Sequence, residues 1–87
     1  MLFDIVRELN EQMTMMLHDG MPGKRVPLLV GITDGYDVSI QFMDRTVWNS
    51  SEWEYRSNDE AVEIARIKEH IQECITDQLT MLYNIQF

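Results

Sequence analysis

The chain has 87 residues, 45% hydrophobic and 25% charged, with 15 acidic against 7 basic side chains for a formal charge of −8. A chain of this length makes one domain, residues 1–87, whose thin core buries roughly 60–65% of the unfolded surface and leaves little room for a large pocket. The composition excludes a disordered chain. The charge argues against direct contact with nucleic acid or an anionic membrane and favours a basic partner.

A single cysteine, Cys74, excludes an internal disulfide framework and fits a reducing compartment. The opening MLFDIVREL carries Asp4 and Arg7 inside its apolar run, which is not the make-up of a secretory signal. No apolar run approaches the ~20 residues of a membrane span. A cytoplasmic location is expected.

In LFDIVRELNEQMTMMLHD, the residues Leu2, Ile5, Val6, Leu9, Met13, Met16 and Leu17 recur at spacings of three and four, with Asp4, Glu8 and Glu11 between them. The pattern predicts an amphipathic helix that stops at Gly20, and Pro22-Gly23 keeps it from restarting.

VPLLVGI, TDG and YDVSIQFM follow, two β-rich runs around a turn signal. Of the registers available, a three-residue loop Thr33-Asp34-Gly35 pairs Ile32 with Tyr36, Val30 with Val38 and Leu28 with Ile40, which makes one face continuously apolar. That register is expected, with Gly35 in the left-handed conformation. Asp34 and Asp37 are then corner residues. A calcium loop needs more oxygens at alternate positions than D-G-Y-D supplies. Strand two is expected to run on into RTVWN after a kink near Asp44-Arg45. After the Asn49-Ser50-Ser51 turn, EWEYR alternates Trp53 and Tyr55 against Glu52, Glu54 and Arg56, as a third strand with one solvated face would.

S-N-D-E opens the last element, with Ser57 and Glu60 placed as a capping box. Ile64, Ile67, Ile71, Cys74, Ile75, Leu79 and Leu82 then follow at helical spacing to about Tyr83. Asn84-Ile85-Gln86-Phe87 is read as a tail able to add a short edge strand. The predicted fold class is α+β, in the order helix, three-stranded antiparallel meander, long C-terminal helix (αβββα), with both helices on one face of the sheet.

Catalytic and metal chemistry find little footing. His70 and Cys74 are one helical turn apart beside Glu69 and Glu73, but a structural zinc site wants four ligands and His18 lies on the other helix. A His–Cys pair on one helix points both groups the same way and leaves no oxyanion site. The glycines at 20, 23, 31 and 35 form no phosphate loop. Glu52 and Glu54 would project from an open strand face, which offers no enclosed site for a pair of catalytic carboxylates. No enzyme, metal or cofactor is expected.

Two features point to binding. Met13, Met15, Met16 and Met21 cluster, and Met15 falls off the core stripe, as an adaptable contact residue would. The last helix carries Asp59, Glu60, Glu63, Glu69, Glu73 and Asp77, relieved only by Arg66 and Lys68. A solvated face with pairs such as Glu63–Arg66 accounts for this run. So does a rod of negative charge that occupies a groove built for phosphates.

In general character (small, acidic, one domain, no enzyme motif) the chain resembles phage-encoded inhibitors of host nucleic-acid machinery, of the anti-CRISPR and anti-restriction type. It is equally similar to small acidic secretion chaperones and immunity proteins. Both are likenesses of type that share no motif. The leading expectation is a non-catalytic nucleic-acid mimic that blocks a basic protein surface through Asp59, Glu60, Glu63, Glu69, Glu73 and Asp77. The second is a homodimeric chaperone, immunity or adaptor protein binding through an apolar patch that includes Met15 and Leu82. Self-association as a two-fold dimer is expected because the last helix is long against so small a sheet and Met15, Leu79, Leu82 and Phe87 are left over as a self-complementary apolar patch.

Overall fold

The computed structural model describes residues 2–20 and 27–83, with side chains described over 3–15 and 27–81. Helix α1 spans Leu2–Gly20, strand β1 Leu29–Asp34, β2 Asp37–Phe42, β3 Arg45–Asn49, and helix α2 Glu60–Tyr83. The strands form one antiparallel sheet in the order β1-β2-β3. The fold is α+β in the order αβββα, as the periodicities predict. The expected strand over Asn84–Phe87 lies outside the described residues.

Helix α1 lays Ile5, Leu9 and Met13 on the sheet, spaced by four. Helix α2 buries Glu63, Ile67, Ile71, Ile75 and Leu79, again at every fourth position, flanked by the partly buried Ile64 and Cys74. From the sheet, Leu29, Ile40, Phe42, Val47 and Trp48 complete the core.

The hairpin is real, but its register differs from the expected one. Leu29 pairs with Phe42, Gly31 with Ile40, Thr33 with Val38, and Asp34 with Asp37, so the two-residue turn is Gly35-Tyr36. Gly35 has φ 63°, with open space around the position of a Cβ. A positive φ at the first central residue, with glycine there, matches a type II′ turn, whose twist suits the flanking strands.

The shift reverses β1. Leu29, Gly31 and Thr33 face the helices, whereas Leu28, Val30 and Ile32 stand outward, at 48%, 54% and 39% exposure. Leu29 replaces Leu28 in the core, and the Phe3 ring fills the space that Gly31 leaves. A Cβ at Gly31 would lie 2.6 Å from Phe3 Cε1.

The third strand is RTVWN, not EWEYR. Met43-Asp44 makes the second turn, with φ 54° and 66°, so the chain reverses where a kink was expected. Two positive φ values between Phe42 and its partner Arg45 describe a type I′ turn built without glycine. A bulge follows: Ile40 pairs with Trp48 but Gln41 with Thr46, so Val47 is the extra residue and both Val47 and Trp48 end up buried. Ser50 continues the pairing by donating its N–H to the Val38 carbonyl at 2.8 Å and accepting the Val38 N–H on Oγ at 2.8 Å.

The cap of α2 also differs from the capping box. Asp59 Oδ1 accepts the Ala61 N–H at 3.0 Å and the Asp59 carbonyl accepts the Glu63 N–H, so Asp59 is the N-cap. Ser57 Oγ instead accepts the Asp59 N–H at 3.0 Å, one turn before the helix.

Candidate binding surfaces

The carboxylates expected to form one acidic face separate into three environments. Asp59 and Glu60 are exposed at the N-terminus of α2, where the helix dipole favours them. Glu63 is only 5% exposed and belongs to the interior, which corrects its placement among the partner-facing acids. Glu69, Glu73 and Asp77 are exposed, each four residues after the last, so they stack along one side of α2 at about 6 Å per step.

Glu63 is drawn inward because it occupies the same four-spaced row as Ile67, Ile71, Ile75 and Leu79. Its Oε1 accepts the Arg56 N–H at 3.0 Å and the Ser57 N–H at 2.9 Å. Its Oε2 accepts the Trp53 Nε1–H at 3.2 Å, and Arg66 Nη1 lies 2.8 and 2.7 Å from the two oxygens. Burial alone would push this carboxyl up. The Arg56 N–H, Trp53 indole, Arg66 guanidinium and Ser57 N–H together outweigh burial and hold it below its ordinary 4.5.

That carboxylate anchors the end of EWEYR, which is not a strand, against α2. The N–H groups of Arg56 and Ser57, which a ladder would need, point to Glu63 instead. Trp53 is turned onto α2, with the Arg66 guanidinium 4.9 Å from its ring centroid, the His70 ring at 5.5 Å and Trp48 at 6.2 Å. Tyr55 is left 58% exposed.

The cations of α2 are thus consumed within the fold. Arg66 pairs with Glu63, and Lys68 pairs with Glu8 on α1. Among the described residues no cation pairs with Glu69, Glu73 or Asp77. Like charges at i, i+4 repel by about 0.2–0.5 kcal/mol per pair, so the row opposes helix stability unless something outside the fold neutralises it.

Beside the tryptophans lies a cleft of about 360 Å³ lined by Thr46, Val47, Trp48, Asn49, Glu52, Trp53, His70 and Cys74. His70 Nε2 stands 3.9 Å from Cys74 Sγ, and that sulfur also lies 4.0 Å from the Val47 carbonyl oxygen. Burial, then the Asp77 and Glu73 carboxylates, push the Cys74 thiol above its ordinary 9.0. At neutral pH it is a protonated thiol, a poor nucleophile. Among the described residues no group of three or more His, Cys, Asp or Glu side chains is placed to hold a metal.

A second surface is apolar. Phe3, Val6, Met15 and Leu28, with Arg7, Asn10, Glu11 and Thr14, line an open groove of about 660 Å³ between α1 and the start of β1. Met15 is 71% exposed there. Leu82 lies on the last turn of α2 with its side chain outside the described residues. Sequence reasoning named Met15 for such a patch but missed Phe3, Val6 and Leu28, because Val6 and Leu28 were expected to face the core.

No helix among the described residues is long and apolar enough to cross a membrane. Comparison with protein-family models, curated proteins and solved structures finds no match for this chain.

Proposed function

We propose that the chain is a non-catalytic, cytoplasmic binding protein that blocks a basic protein surface, of the kind that holds nucleic acid, with the Glu69–Glu73–Asp77 row of α2. The observation that carries this reading is the row itself. Its three carboxylates are exposed and without a cation among the described residues, and they ride on a helix fixed to the core by Ile67, Ile71, Ile75 and Leu79. Asp59 and Glu60 extend the negative field toward the other end of α2. A partner that neutralises the row would also relieve the repulsion within it.

Binding to such a target weakens steeply between about 50 mM and about 500 mM salt, because charge complementarity of this kind is screened within about 8–10 Å. Reversing Glu69, Glu73 and Asp77 to lysine abolishes binding and leaves the fold intact, since exposed charges contribute little to stability. The protein competes with nucleic acid for the target and has no affinity for nucleic acid alone. Salt-independent binding that survives the triple reversal would refute the reading.

The groove between α1 and β1 favours a second reading, a chaperone or adaptor that takes an apolar segment of its partner over Phe3, Met15 and Leu28. Binding would then tolerate salt and be lost on replacing Met15 with a polar residue.

A further inference from the structure

We propose that two copies of this chain pair antiparallel through the open edge of β1, about a two-fold axis at Ile32, to make one continuous six-stranded sheet. The inference rests on where the backbone of β1 points and is independent of the acidic row.

In an antiparallel strand the N–H and C=O of alternate residues point to opposite sides. Leu29 directs both groups away from β2, because both are bonded to the Asn10 amide. By alternation Gly31 and Thr33 also point away from β2. The far side of the sheet gives the same answer: Val38, the partner of Thr33, spends its N–H and C=O on Ser50, beyond β3. Among the described residues nothing bonds the outward groups of Gly31 or Thr33.

These four groups are self-complementary. With Ile32 opposite Ile32 of a second copy, Gly31 lies opposite Thr33 in both halves, and each such pair exchanges N–H···O bonds in both directions. Centring instead on Gly31 would set Leu29 opposite Thr33, but Asn10 already occupies Leu29. Centring on Thr33 would set Gly31 against the turn at Gly35. Asn10 therefore selects the register as well as ending it.

Charge selects the occupant. Residues 28–33, LLVGIT, carry no charge in a chain of −8. In the Ile32 register Asp34 meets Val30, so two acidic copies approach without facing carboxylates. The outward Val30 and Ile32 give the new sheet an apolar ridge. The edge has none of the lysines, prolines or inward charges that usually guard against such pairing. A contact this short falls below the ~800 Å² per partner of a standard interface, so the dimer forms with rising concentration.

The test uses single cysteines in a Cys74→Ala background. Cα atoms of a directly opposed, non-hydrogen-bonded pair lie about 4.5 Å apart, within disulfide reach. Ile32→Cys crosslinks the chain to twice its mass under mild oxidation, whereas Val30→Cys, facing Asp34, does not. Sedimentation of the unmodified protein shows dimer at high micromolar concentration. Thr33→Pro, which removes an outward N–H at a position where an edge strand tolerates proline, gives a folded monomer. A monomer at every concentration, or crosslinking of Val30→Cys as fast as Ile32→Cys, overturns the proposal. If Thr33→Pro fails to fold, the cysteine pair alone decides.

Discussion

The Asn10 side chain and the Leu29 backbone make a matched pair. Asn10 Oδ1 accepts the Leu29 N–H at 2.7 Å, and Asn10 Nδ2 donates to the Leu29 carbonyl at 3.1 Å. The amide thus stands where a fourth strand would place a peptide group. It locks α1 to the sheet edge and spares a residue only 3% exposed from carrying two unpaired backbone groups.

Asn10→Ala orphans both groups, at about 1–3 kcal/mol for a buried donor or acceptor left unsatisfied. A total loss of about 2–3 kcal/mol, or roughly 10–20 °C in Tm for a domain this small, is the expected result of thermal unfolding. Asn10→Asp keeps the acceptor but loses the donor, and sets a carboxylate against the Leu29 carbonyl, so it should fare no better. Loss of less than about 0.5 kcal/mol in both variants would mean that water replaces the amide at no cost.

The two hairpin turns make opposite predictions about glycine. Gly35 sits at φ 63° with nothing near its Cβ position, so the cost of Gly35→Ala is conformational, about 1 kcal/mol, with no clash to relieve. Met43 and Asp44 sit at φ 54° and 66°, where β-hairpins favour Asn-Gly. Replacing Met43-Asp44 by Asn-Gly should therefore stabilise the fold by about 1 kcal/mol, read as a higher midpoint in urea at unchanged m-value. A gain from Gly35→Ala or a loss from the Asn-Gly turn would contradict the backbone assignment.

The helices were legible because each carries a stripe at every third or fourth position and Gly20 marks the end of the first, while Asp59 rather than the expected Ser57 caps the second. The location of the first turn was legible from Gly35. Its register was not: Leu28, Leu29, Val30 and Ile32 are apolar on both faces, so alternation cannot choose between them. The residue that decides, Gly31, hides its inward orientation because Phe3 supplies the side chain it lacks. The third strand was misplaced for a related reason. Met43-Asp44 lacks the glycine that announces a type I′ turn, while EWEYR alternates cleanly yet gives its last N–H, from Arg56, and the Trp53 indole to a carboxylate. The burial of Glu63 did carry a signal, since it stands four residues before Ile67 on the apolar row. Only the donors from Arg56, Ser57 and Trp53, distributed over a loop without periodicity, could show what holds it there.

Asp34 and Asp37 face each other in the last pair of the first hairpin, both exposed. Like charges directly opposite destabilise a strand pair by roughly 0.2–1 kcal/mol. Asp37→Lys should stabilise the fold by about that amount, and the gain should shrink as salt screens it. An unchanged denaturation midpoint at low salt would show that the two carboxylates already avoid each other.

Glu63 should make stability depend on pH in the acid range. Its carboxyl lies below the ordinary 4.5 in the folded chain because the Arg56 and Ser57 N–H groups, the Trp53 indole and Arg66 favour the charged form more than burial opposes it. The unfolded chain therefore binds a proton at a higher pH than the folded one, and stability rises with pH wherever that difference persists. The contribution of Glu63 is fully present above the unfolded value of about 4.5 and is lost as pH falls through the lower folded value. Glu63→Gln removes this titration while keeping the size of the side chain. It should lower stability at pH 7, where the charge-assisted bonds to Arg66 and the two backbone N–H groups are lost, and it should flatten the acid limb of the stability profile. The loosened 53–57 segment offers an independent readout, because Trp53 would leave the Arg66 guanidinium and the His70 ring and its fluorescence would change. Parallel acid limbs in the wild-type and Glu63→Gln proteins would show that Glu63 titrates alike in the folded and unfolded chains.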